Sequence, residues 1–140
     1  MINRRTWMLA GMLVVLLGGV VACAQTQSPV APAPNKDGYT DITVEQLAEM
    51  MTHKDFVLVN VHIPYEGDLP QTDLSIPYNE IEGNLDKLPG QDARIVLYCR
   101  SGSMSTSAAE ALASLGYSNV MELDGGMRAW KAAGYSLVGQ

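Results

Sequence analysis

Cys99 is the side chain of this 140-residue sequence best placed to do chemistry. It follows the run Arg94-Ile95-Val96-Leu97-Tyr98, which reads as a strand, and opens the small-residue segment Arg100-Ser101-Gly102-Ser103-Met104. Ligands of open α/β sheets bind outside the carboxyl ends of strands, which is where this sulfur falls. Successive N–H groups of such a loop can point inward as an anion nest, with Gly102 supplying the positive φ or close approach that the turn needs. The positive end of a following helix acts in the same direction. Both effects favour a thiolate over a thiol, lower the pKa of Cys99 and make it a nucleophile. Arg100 is the only cationic side chain of the loop, suited to meeting a substrate or to pairing with a neighbouring acid. The competing reading of Cys99 is a buried, inert cysteine.

The elements that must position this loop are legible around it. Thr43 with Gln46 fits a capping box that opens a short helix at Val44, running to about residue 51. Phe56-Val57-Leu58-Val59-Asn60-Val61 is nearly continuous in apolar character, as in a strand buried on both faces. Pro64, Gly67, Pro70 and Pro77 mark a long loop, and residues 79–88 form a short helix that Pro89-Gly90 ends. The spacing of Met104, Ala108, Ala111, Leu112 and Leu115 predicts a helix over 104–115 with that face inward and Gly116 at its C-terminal cap. Asn119-Val120-Met121-Glu122-Leu123 predicts another strand, and Gly125-Gly126 turns the chain into a last helix over 127–133. Alternation of helix and strand implies an α/β domain with a central parallel sheet flanked by helices. No internal repeat is present.

At these residues the chain resembles a single rhodanese-like domain over about residues 39–140. Cys99-Arg100-Ser101-Gly102 resembles the family's C-R-S-G active-site loop. Leu123-Asp124-Gly125-Gly126-Met127-Arg128-Ala129-Trp130 resembles its closing L-x-G-G-x-x-A-W, and Leu58-Val59-Asn60-Val61-His62 aligns with its strand ending in D-V-R. The resemblance implies sulfur transfer without a cofactor. Cys99 would take a sulfane sulfur from a small donor such as thiosulfate or a persulfide, hold it as a persulfide, and pass it to a thiol or cyanide. The substrate loop would be Arg100, Ser101, Gly102, Ser103 and Met104, with His62 as an auxiliary group that supplies a proton or hydrogen bond.

Two departures bear on the substrate. The family's loop often carries an arginine five positions after the cysteine, where this chain has Met104, and D-V-R is replaced by Asn60-Val61-His62. Fewer positive groups near the thiol weaken the hold on doubly charged thiosulfate and favour a less charged persulfide or polysulfide. Two further functions compete. A phosphatase or arsenate reductase uses a similar cysteine loop but wants an arginine six positions on, where Ser105 stands. A degenerate, non-catalytic module for binding or sensing is the other. His53 and His62 lie too far apart in sequence to suggest a metal motif.

The N-terminus reads as a targeting segment, residues 1–22. Arg4 and Arg5 precede an uncharged apolar run from Trp7 to Val21. Val20-Val21-Ala22-Cys23 resembles a bacterial lipoprotein box, which implies diacylation of Cys23 and an extracytoplasmic domain attached to a membrane through that lipid. An ordinary signal cleaved near Ala22 or Ala24, an uncleaved anchor and a twin-arginine signal are the alternatives. Residues 23–38, with Pro29, Pro32 and Pro34, form an extended tether. Removing residues 1–22 takes two of the nine basic residues and none of the fifteen acidic ones, leaving a net charge of −8. So acidic a domain is a poor candidate for nucleic acid or an anionic lipid surface. With Cys23 acylated, Cys99 has no intramolecular partner for a disulfide.

Overall fold

The computed structural model describes residues 32–140; the targeting segment, Cys23 and most of the tether lie outside them. Residues 35–38 form a turn in which Asn35 bonds to Tyr39 and Asp41. The chain then runs β1 (Thr40–Ile42), α1 (Val44–Thr52), β2 (Val57–Asn60), β3 (Leu74–Ser75), a 3₁₀ segment (Tyr78–Lys87), β4 (Ile95–Tyr98), α2 (Ser103–Ser114), β5 (Val120–Leu123) and α3 (Gly126–Ala132). The five strands form one parallel sheet in the order β1-β5-β4-β2-β3. Among the described residues no helix is long and apolar enough to cross a membrane.

The parallel sheet flanked by helices is the expected architecture, and the central strands explain it. Every residue of β4 is buried, so it holds the middle of the sheet. Strand parity divides its side chains between two cores. Ile95, Leu97 and then Cys99 face α2 and the 3₁₀ segment with Val59, Ala108, Ala109 and Leu112. Val96 and Tyr98 face α1 and α3 with Leu47, Leu58, Met127 and Trp130. The same parity on β5 puts Met121 and Leu123 with the second group and turns Val120 and Glu122 toward α2.

Several details differ from the sequence expectation and one matches it. β1 and β3, of three and two residues, are too short to show a period and were not expected. Residues 78–87 are a 3₁₀ segment kinked at Asn84. The predicted capping box is present: the Gln46 N–H donates to Thr43 Oγ1, and the Thr43 N–H donates to Gln46 Oε1. The helix after Cys99 starts one residue earlier than expected, and its inward face is Ser105, Ala108, Ala109 and Leu112. Met104 and Ala111 are only half-buried against that core, and Leu115, expected inside, is exposed.

Candidate active site

The site forms where β4 ends. Cys99 is 1% exposed, and its sulfur lies under the turn that leads into α2. Gly102 caps that helix with φ +103°, a conformation that L side chains rarely adopt. This turn brings the Gly102 N–H to 3.1 Å from Cys99 Sγ. Ser105, the first fully buried residue of α2, brings its hydroxyl to 3.3 Å from the same sulfur. Burial pushes the thiol pKa up. The Ser105 hydroxyl and the N–H groups of Ser105, Ser101 and Gly102 outweigh it, and the net shift is downward. The anion nest expected from Arg100, Ser101, Gly102, Ser103 and Met104 is therefore carried by backbone donors and by Ser105, one residue beyond the expected set.

The loop is held from the other side by α3. The Met127 N–H donates to the Cys99 carbonyl at 2.9 Å, and the Arg128 N–H donates to the Arg100 carbonyl at 3.0 Å. Gly126 has φ +53°, and any Cβ there would overlap the Cys99 carbonyl oxygen. The Gly125-Gly126 pair thus serves as the surface against which the cysteine loop is pressed.

Arg100 pairs with Glu66, with Nη1 3.3 Å from Oε1. His62, 4% exposed, meets the other oxygen of Glu66 through Nε2 at 3.0 Å. Its buried Nδ1 has no partner, which fits the tautomer with the proton on Nε2. His62 therefore makes no hydrogen bond to Cys99; with Glu66 it steadies Arg100. Asn60 organises the same loop, donating from Nδ2 to the Gly67 carbonyl and Asp68 and accepting the His62 N–H at Oδ1. Beside Arg100 lies a cleft of about 430 Å³ lined by Glu66, Arg100, Met127, Arg128, Lys131, Leu137 and Gln140. Arg128 and Lys131 make no ion pair among the described residues, so the rim of the cleft is locally positive on an acidic protein.

Sequence reasoning missed Ser105 and Glu122. Glu122 is 3% exposed on β5, and its Oε1 accepts a hydrogen bond from the Ser105 hydroxyl. Burial pushes its carboxyl pKa up to about 7, with Asp41 and Asp124 adding to the rise and Ser105 opposing it. The available signal was one acid inside an apolar strand, where an unpaired charge is costly. Among the described residues no cluster of three or more side chains suited to hold a metal occurs.

The fold and the cysteine loop place the chain in a known class: it belongs to the rhodanese-like domain family, which matches residues 43–133. It is 33% identical over 102 residues to a sulfurtransferase of Allochromatium vinosum, spanning 70% of this chain and 94% of that protein. It is 29% identical to the thiosulfate sulfurtransferase GlpE of Pseudoalteromonas translucida, over 68% of this chain and 91% of that one. A rhodanese-related protein of Thermoplasma volcanium shares the fold with a TM-score of 0.61 at 28% identity, covering 70% of this chain and 96% of that structure.

Proposed function

We propose that the protein is a sulfurtransferase working through a Cys99 persulfide. The observation that carries this reading is the sulfur of Cys99 at the end of the central strand, accepting hydrogen bonds from the Gly102 N–H and the Ser105 hydroxyl. In the first step the Cys99 thiolate attacks the outer sulfur of the donor. A Sγ–S bond forms, the donor's S–S bond breaks, and its electron pair leaves with sulfite or with the donor thiolate. In the second step a thiolate or cyanide attacks the outer sulfur of the Cys99 persulfide. The new S–S or S–C bond forms, the Sγ–S bond breaks, and Cys99 returns as thiolate. The N–H donors stabilise the anionic sulfur before and after each transfer, and because they are fixed by the turn they need no reorganisation.

A sulfur this enclosed suits the slim end of a small donor. Met104 adds no charge to the loop and Arg100 is shared with Glu66, which favours a persulfide over doubly charged thiosulfate. We also propose that the domain works outside the cytoplasm, held to a bacterial membrane by lipid on Cys23. The test of the enzymatic reading is steady-state sulfur transfer to cyanide from each donor. Wild type turns over and Cys99→Ser does not; equal rates for the two proteins overturn it.

A further inference from the structure

Glu122 has no part in the sulfur transfer described above, yet it is a buried acid one hydroxyl away from the reacting sulfur. Parity puts both on the α2 side of the sheet: Glu122 pairs in register with Leu97, two residues before Cys99. Ser105 connects them. Its Oγ lies 3.3 Å from Cys99 Sγ and 3.1 Å from the Gly102 carbonyl, and it makes its shortest contact with Glu122 Oε1. A hydroxyl has one proton to donate, so these three acceptors compete for it.

We propose that Glu122 is a positioning residue for Cys99, using the Ser105 hydroxyl to set how strongly the sulfur is held as an anion. With the carboxyl ionised, the charged oxygen at the shortest distance takes the Ser105 proton. The sulfur is left with its backbone donors and faces a second anion. With the carboxyl protonated, its own O–H donates to Ser105 Oγ, and the Ser105 O–H turns to the sulfur. A proton on Glu122 and a negative charge on Cys99 therefore support each other, and the two groups titrate as a coupled pair.

The surroundings favour the protonated acid. From β1 the facing charged group is Asp41, the register partner of Glu122; beyond the end of β5 it is Asp124. From β4 it is the Cys99 sulfur, and α2 contributes only the Ser105 hydroxyl. No lysine or arginine pairs with Glu122 among the described residues. The rise of its pKa to about 7 agrees with this geometry and puts the switch near neutrality.

The inference rests on the sulfurtransferase reading for its purpose, but its test needs no sulfur donor. The experiment is alkylation of the full chain by iodoacetamide as a function of pH, followed at the Cys99 peptide by mass spectrometry. In Glu122→Gln the amide donates to Ser105 at every pH. At low pH, where the wild-type carboxyl is itself protonated, the two proteins alkylate alike; as pH rises through the Glu122 titration Glu122→Gln becomes several-fold faster than wild type, and the broadened coupled profile becomes a single step. Ser105→Ala moves the midpoint upward. Adding Glu122→Gln to Ser105→Ala produces a much smaller shift than in wild type. Thermal melts of each variant establish that it is folded, and Ser105→Thr, which keeps a hydroxyl, restores the Glu122→Gln effect. A Glu122→Gln profile that superposes on wild type, or a shift of equal size with and without the Ser105 hydroxyl, overturns the proposal. Failure of wild type to transfer sulfur defeats the enzymatic reading and leaves this result standing.

Discussion

Gly126 is packed directly on the carbonyl oxygen of Cys99, with no room for a side chain between the start of α3 and the cysteine loop. At φ +53° it also holds a conformation that alanine adopts only at a cost. Gly126→Ala therefore has two penalties, with the backbone strain alone worth about 1–3 kcal/mol. The expected outcome is a lowered melting temperature and a loss of sulfur-transfer kcat/KM of roughly 10-fold or more, the scale of a misplaced reacting group. Gly83, with open space around it, is the control: Gly83→Ala leaves the rate unchanged. Normal turnover by Gly126→Ala would show that the loop does not depend on this contact.

Stability should fall as pH rises through the Glu122 titration. Its folded-state pKa, about 7, lies above the ordinary 4.5, so its contribution is fully present below 4.5 and is lost as pH rises through 7. At ~1.4 kcal/mol per unit the loss is roughly 3 kcal/mol. Cys99, whose pKa is lowered, acts in the opposite sense: its contribution is present above the unfolded thiol range and fades as pH falls through the folded value. Urea unfolding at pH 5 and pH 8 should show the Glu122 loss in wild type and not in Glu122→Gln. Equal slopes in the two proteins would mean that the carboxylate is solvated or paired.

The proposed sulfur transfer predicts that charge in the loop sets donor choice. Two like charges ~4 Å apart at an effective dielectric of ~20 cost on the order of 4 kcal/mol, and thiosulfate brings two negative charges to a thiolate. Met104 offsets none of this. Met104 is half-buried in the first turn of α2, so the side chain introduced by Met104→Arg has a path to solvent. It should raise thiosulfate kcat/KM by roughly 10-fold, about 1.4 kcal/mol, and change persulfide turnover far less. Kinetics with both donors at two salt concentrations check this. A wild type that already prefers thiosulfate, or a variant without donor selectivity, refutes the charge argument.

Attachment is tested apart from chemistry. Cys23→Ala should release the protein into the soluble extracytoplasmic fraction or leave an unprocessed precursor, as read by fractionation and intact mass. A mature N-terminus away from Cys23 and without acyl mass rules out the lipid anchor.

The central strands and the cysteine loop were legible because they are local. Ile95 to Tyr98 is apolar at every position, and Gly102 follows Cys99 at the spacing a cradle needs. The capping box at Thr43 and Gln46 is local in the same way. What escaped sequence reasoning depends on pairing across the fold. β1 and β3 exist because β5 and β2 offer edges to pair with, and two or three residues carry no period. Glu122 and Ser105 lie 17 positions apart in sequence and meet only because β5 and α2 pack on the same side of the sheet. The sequence around Arg100 leaves a substrate and an acid equally open as its partner, and only the fold brings Glu66, 34 positions away, within reach.

Whether Cys99 carries sulfur is read most directly from the mass of the intact protein after brief exposure to a persulfide or thiosulfate donor, before and after cyanide is added. The expected result is a gain of one sulfur atom in wild type, located on the Cys99 peptide, removed by cyanide and absent from Cys99→Ser. No gain in wild type with either donor, or a gain that survives in Cys99→Ser, contradicts sulfur transfer through Cys99.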